Sequence, residues 1–135
     1  MTVGAKEFRY TLELDRTGRV TADGSSPLDL DGPWTPEHLV LAGLVRCTLM
    51  SLRFHAEPLG IDFVANASSS AMVTRRPGDG RYAFVEIDVE LELELEPTPG
   101  EGLAALIAKA ERDCFVGASL NPSPRYTWRV NGIAL

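Results

Sequence analysis

The run YAFVEIDVELELELE, Tyr82 to Glu96, constrains this chain more than any other stretch. Val85, Ile87, Val89, Leu91, Leu93 and Leu95 alternate with Glu86, Asp88, Glu90, Glu92, Glu94 and Glu96. A period of two puts the apolar side chains on one face of a strand and the carboxylates on the other. At about 3.3 Å per residue such a strand exceeds about 40 Å, long for a domain of this size. Ile61 to Arg75 reads as a second long strand, joined to the first across Arg76-Pro77-Gly78-Asp79-Gly80, residues that tolerate tight turns. A ribbon with that reach suggests a sheet shared between two chains.

The six alternating carboxylates match in number the net charge of −6. They read as a solvated face, because water satisfies a row of like charges better than a ligand does. An acidic chain lacks the basic surface that displaces counterions from phosphates, so no nucleic-acid partner is expected. With 135 residues the expectation is one domain, 1–135. The longest uninterrupted apolar run, Leu39 to Val45, is far short of the roughly 20 residues that cross a bilayer, and MTVGAKEFRY has no signal-peptide apolar region. A soluble cytoplasmic protein without membrane attachment is expected.

Phe8, Tyr10, Leu12 and Leu14 alternate with polar residues and read as a strand, and Asp15-Arg16-Thr17-Gly18 as a turn. Arg19 to Ala22, then Pro27 to Leu30 beyond Asp23-Gly24, read as two further strands of an antiparallel meander. A helix follows. Thr35 is placed to cap it, Pro36 suits the first helical position, and Glu37 suits the positive end of its dipole. Apolar residues on nearly every side, from Leu39 to Leu52, predict a central, enclosed helix that Pro58 and Gly60 stop. After Pro97 and Pro99, Leu103, Leu106, Ile107, Ala110 and Cys114 form one stripe of a second helix. Tyr126 to Leu135 reads as the last strand. The fold class is α+β, in the order β-β-β-α-β-β-α-β.

Two cysteines in a chain without an export signal are better suited to reactivity than to a structural staple. No CxxC occurs, and His38 and His55 stand nine residues before and eight residues after Cys47, off the spacing of helical metal ligands. No metal is expected. A buried cysteine is usually a small hydrophobe. Here, however, both Cys47 and Cys114 fall on apolar helix faces, and packing could bring their sulfurs within bonding distance, as a nucleophile and a resolving partner require. Apolar burial would leave Cys47 protonated unless a cation reaches it. Arg46 is turned about 100° away around the helix and Arg53 points roughly opposite, so the turn DRTGR, with Arg16 and Arg19, supplies the better candidates.

Thr35-Pro36-Glu37-His38-Leu39, Cys47 ten residues after that glutamate, and a second cysteine in AERDCFVGASL together resemble the OsmC/Ohr family of thiol peroxidases. The resemblance implies an intertwined homodimer with long central helices wrapped by antiparallel sheets, and reduction of organic hydroperoxides as part of a stress response. Carried over by position, Cys47 resembles the peroxidatic cysteine, Cys114 the resolving cysteine, Arg16 the active-site arginine, with Arg19 as its rival, and Glu37 the carboxylate that orients it. The implied reductant is an external dithiol of lipoyl or similar type, and no cofactor is needed. Leu44, Met50, Phe54 and Phe115 are candidates to line an apolar substrate pocket, though core packing would account for each of them too. Phe115 stands where the family commonly has proline and the Ohr branch's Gly-rich segment is absent, which leaves OsmC and Ohr branches open.

Geometry adds one constraint. Glu37 and Cys47 on one straight helix lie about 15 Å apart along its axis. Either an arginine spans that gap or the site is completed across a two-fold axis by Glu37 of a second copy; the second arrangement is the expectation. The rival function is a non-catalytic dimer of the same fold whose pocket holds a hydrophobic ligand, with both cysteines passive.

Overall fold

The structure, a computed structural model, describes residues 4–23, 26–30 and 32–135. Backbone contacts divide the chain into two compact units, residues 1–36 and 37–135.

The first unit holds a three-stranded antiparallel sheet of β1 (Leu12–Leu14), β2 (Arg19–Ala22) and β3 (Leu28–Asp29), in that order. The meander is as expected, but β1 is shorter than the alternation suggested: Phe8 and Tyr10 lie outside it and are exposed. Gly24 of the expected Asp23-Gly24 turn falls outside the described residues. Asp15 organises the first turn. Its carboxylate accepts from the Thr17 amide at 2.8 Å, the Thr17 hydroxyl at 2.6 Å and the Arg19 amide at 3.1 Å, bonds that hold the carboxyl below its ordinary pKa.

The second unit begins with α1 (Pro36–Ala56), which starts at the proline the sequence marked and runs into a 3-10 turn at Glu57–Leu59. Gly60 ends it in the left-handed conformation (φ 69°), where a Cβ would be strained. Within one chain α1 is not enclosed on every side, as the sequence predicted. Leu44, Thr48, Ser51, Leu52 and Ala56 face inward, whereas Met50 is 61% and Phe54 73% exposed. By length and composition Pro36–Leu59 could cross a membrane, which the short run Leu39–Val45 had argued against, and only 28% of the most apolar window is buried. Arg46, Thr48 and Ser51 keep the uninterrupted run short without offsetting the apolar residues around them.

β4 (Asp62–Arg75) and β5 (Tyr82–Glu96) pair antiparallel along their whole length, from Asp62 opposite Glu96 to Arg75 opposite Tyr82. A bulge at Met72/Val73 leaves Val85 without a partner. From there the expected face holds: Ile87, Val89, Leu91, Leu93 and Leu95 are buried. Glu86, Glu90, Glu92, Glu94 and Glu96 are exposed, and Asp88 takes a bidentate pair of 2.9 Å bonds from Arg125. Beyond Ser69, β4 is exposed on both faces.

Two expectations need correction. The helix after Pro97 is broken: α2 (Leu103–Arg112) and α3 (Phe115–Ser119) are separated at Asp113-Cys114, so Cys114 is not the end of one continuous stripe. The sheets are not wholly antiparallel either, because β6 (Arg125–Val130) runs parallel to β5. Physically, the two helices form a crossover that returns the chain to the same end of the sheet, as a parallel neighbour requires. The expected last strand folds back at Asn131-Gly132, both at positive φ, into the short β7 (Ile133–Ala134). The four-stranded sheet has the order β4-β5-β6-β7, and its inner face packs with α1 and α2 residues into one core.

Candidate active site

Inside the second unit, Cys47 is half-buried on α1 and Cys114 wholly buried between α2 and α3. Separated by 67 positions of sequence, the two free cysteines lie in one packed cluster, unbonded and near enough for Cys114 to raise the pKa of Cys47.

Cys114 has a set of polar neighbours. Its extended backbone (φ −78°, ψ 106°) makes it the cap of α3, and its sulfur accepts from the Gly117 amide at 3.4 Å. The Thr48 hydroxyl lies 3.5 Å from the same sulfur and donates to the Leu44 carbonyl at 2.9 Å. With that proton committed, the Cys114 thiol is the donor to Thr48. Tyr126 of β6 approaches from the sheet; burial pushes its phenol up to about 12, with Thr48 and Cys114 as further influences.

Burial is also the largest influence on Cys47 and raises its pKa. The Cys114 thiol acts in the same direction, while the backbone amides of Val116 and Phe115 act against it. None of these is a cation. A thiol so placed is mostly protonated at neutral pH, and a charge from elsewhere would be needed to ionise it.

Glu37 is exposed in the first turn of α1, ten residues before Cys47. Arg16 is exposed on the β1–β2 turn of the first unit. Leu44 is 0% exposed and belongs to the core; Met50, Phe54 and Phe115 are exposed in the single chain. Arg53, turned away as expected, lies 4.4 Å above the Phe63 ring and pairs with Asp62 at 3.5 Å. Among the described residues no three His, Cys, Asp or Glu side chains gather to hold a metal. An open depression of about 340 Å³ lies elsewhere, on the sheet's polar face among Ser68, Glu90, Glu92, Thr127 and Arg129.

Sequence reasoning missed three features of the site. Thr48 stands next to Cys47 and on the inner face with Leu44 and Leu52, a position the helical period could have revealed. Tyr126 belongs to the last strand, and only the crossover brings it here. His55, read only as a poor metal ligand, reaches Asp113 at 2.7 Å and so ties the end of α1 to the residue before Cys114. Arg112 grips the same carboxylate twice at 2.9 Å. Arg112 first, and then His55, hold Asp113 well below the usual carboxylate range.

A family model described as OsmC-like protein matches residues 29–129. No curated protein matches the chain. Among solved structures, an OsmC-like protein of Mycoplasma pneumoniae is 20% identical, with 93% of this chain and 96% of that one covered and a TM-score of 0.66. The organic hydroperoxide resistance protein OhrB of Bacillus subtilis is also 20% identical, covering 91% and 96% with a TM-score of 0.55. An organic hydroperoxide resistance protein OsmC of Legionella pneumophila is 24% identical, covering 90% and 94% with a TM-score of 0.56. At these identities the likeness is one of fold.

Proposed function

Because the chain belongs to the OsmC-like protein family, we propose that it is a thiol-dependent peroxidase that reduces organic hydroperoxides through Cys47 and Cys114. One observation carries the reading: two free cysteines far apart in sequence meet, one sulfur half-exposed and the other enclosed behind it. The accessible sulfur suits the attack on substrate and the enclosed one suits resolution.

The Cys47 thiolate attacks the terminal oxygen of the hydroperoxide. The O–O bond breaks, the alkoxide takes up a proton and leaves as alcohol, and Cys47 becomes a sulfenic acid. Cys114 then attacks the Cys47 sulfur, the S–O bond breaks, and hydroxide leaves with a proton as water. An external dithiol, lipoyl or similar, opens the disulfide by exchange.

Arg16 supplies the missing cation in this reading, and Glu37 holds its guanidinium. Since Glu37 and Cys47 lie about 15 Å apart along one helix, two chains complete each site. The exposed face of α1 and the exposed far half of the β4–β5 ribbon are the surfaces a second copy would cover. Met50, Phe54 and Phe115 then wall an apolar pocket that prefers alkyl hydroperoxides to hydrogen peroxide. Leu44 supports Thr48 from the core.

The burial that raises Cys47 favours a second reading, a dimer that binds a hydrophobic ligand and does no thiol chemistry. A dithiol-coupled assay separates the two. Turnover of an organic hydroperoxide that disappears in Cys47→Ser is expected; equal consumption by wild type and Cys47→Ser, or none by either, would reject the peroxidase.

A further inference from the structure

Tyr126 presents a polar atom the core does not need. Its hydroxyl is buried and has no hydrogen-bond partner among the described residues. Such a group destabilises a fold, because it gives up water and gains nothing in return. Ser51 and Trp128 also carry unpartnered polar atoms, but the Tyr126 oxygen keeps different company. It sits 2.7 Å from the point where a Cβ on Gly117 would stand, and that same point is 3.4 Å from the Cys114 sulfur. The absence of a side chain at 117 is therefore what admits the phenol to this corner. Thr48, which holds the Cys114 thiol, is the third member of the cluster. The ring is fixed from behind by stacking on Trp128, with centroids 6.3 Å apart.

We propose that Tyr126 is the hydrogen-bond donor that stabilises the Cys114 sulfur as it attacks Cys47, with Gly117 giving the phenol access to it. The inference rests on the peroxidase reading only in taking Cys114 as the resolving thiol. In the reduced protein the Cys114 proton points to Thr48 and the phenol is left over. As Cys114 loses that proton, negative charge develops on its sulfur, and a neutral donor in the enclosed corner can turn to meet it. Burial keeps the phenol protonated well beyond neutral pH, so the donor is always charged with its hydrogen. The atoms balance: the Cys114–Cys47 bond forms, the Cys47–oxygen bond breaks, and the Cys114 proton departs in the water released.

The test needs no peroxide. Dithiobis(nitrobenzoate) reacts first at the accessible Cys47 to give a mixed disulfide and one coloured thiolate. Cys114 then displaces the second thiolate from Cys47, so the second phase reports the attack by Cys114 alone. In Tyr126→Phe, which keeps the stack on Trp128, the second phase is expected to slow about tenfold relative to the first, the worth of one hydrogen bond to a charged group. Gly117→Ala, which drives the hydroxyl out while leaving it in the chain, should slow the second phase in the same direction. An unchanged ratio of the two phases in Tyr126→Phe overturns the proposal, as does an unchanged ratio in Gly117→Ala should Tyr126→Phe not fold. Wild-type protein that shows both phases with the dye but ignores organic hydroperoxides would reject the peroxidase reading, while the phase ratio would still decide the role of Tyr126.

Discussion

The two faces of α1 have opposite surroundings. Leu44, Thr48, Ser51, Leu52 and Ala56 are enclosed by the chain's own sheet and second helix, whereas Met50 and Phe54, on the same turns, meet solvent. Cys47 stands on the seam between the faces, with Cys114 on its inner side. The inner face is thus completed by one chain and needs only local packing. The outer face leaves Met50 and Phe54 exposed beside Arg46 and Arg53, which is why it is the surface we assign to a second copy. The sulfur on the seam would then draw its resolving partner from one side and its cation from the other.

The largest expected effect tests the inner face. Leu52→Ala should cost about 2–5 kcal/mol, the range for emptying a packed site, and by the same amount at every protein concentration. Phe54→Ala should differ in kind: its cost appears in denaturant unfolding only where chains associate, and so grows with protein concentration. Equal, concentration-independent losses from both substitutions would erase the distinction between the faces.

A subtler effect sharpens the role of the seam. With burial raising the Cys47 pKa, a thiol without a cation ionises only above its ordinary range. Alkylation of Cys47 by iodoacetamide in Arg16→Ala should therefore keep rising with pH through that range, whereas wild type should level off at lower pH. Identical pH profiles for the two proteins would remove Arg16 from the site and return Arg19 to consideration.

Much of the fold and part of the site are legible in the sequence. The long ribbon shows itself because one face of β5 is buried and the other wet, so its period of two is uninterrupted from Ile87 to Glu96. The start of α1 is written in Pro36 and Glu37, and the burial of Cys114 is legible in the apolar pattern although α2 ends before it. What the sequence hides is whatever depends on partners distant along the chain. Nothing in Asp113 says that His55 and Arg112 will grip its carboxylate where α2 gives way before Cys114. The parallel pairing of β6 follows from where the crossover lands, which local pattern does not encode. The enclosed helix misleads for a related reason: periodicity reports that residues are apolar and not what lies against them. Tyr126 escapes notice because a tyrosine alternating with Trp128 in a strand reads as ordinary core.

The central claim is that the sulfurs of Cys47 and Cys114 meet to form a redox pair. The most direct measurement is a thiol titration of fully reduced protein before and after one equivalent of an organic hydroperoxide, with peptide mapping of the product. The account predicts loss of both thiols and a linked Cys47–Cys114 peptide. Two thiols still free after treatment, or a link only between cysteines of the same number from different chains, would contradict it.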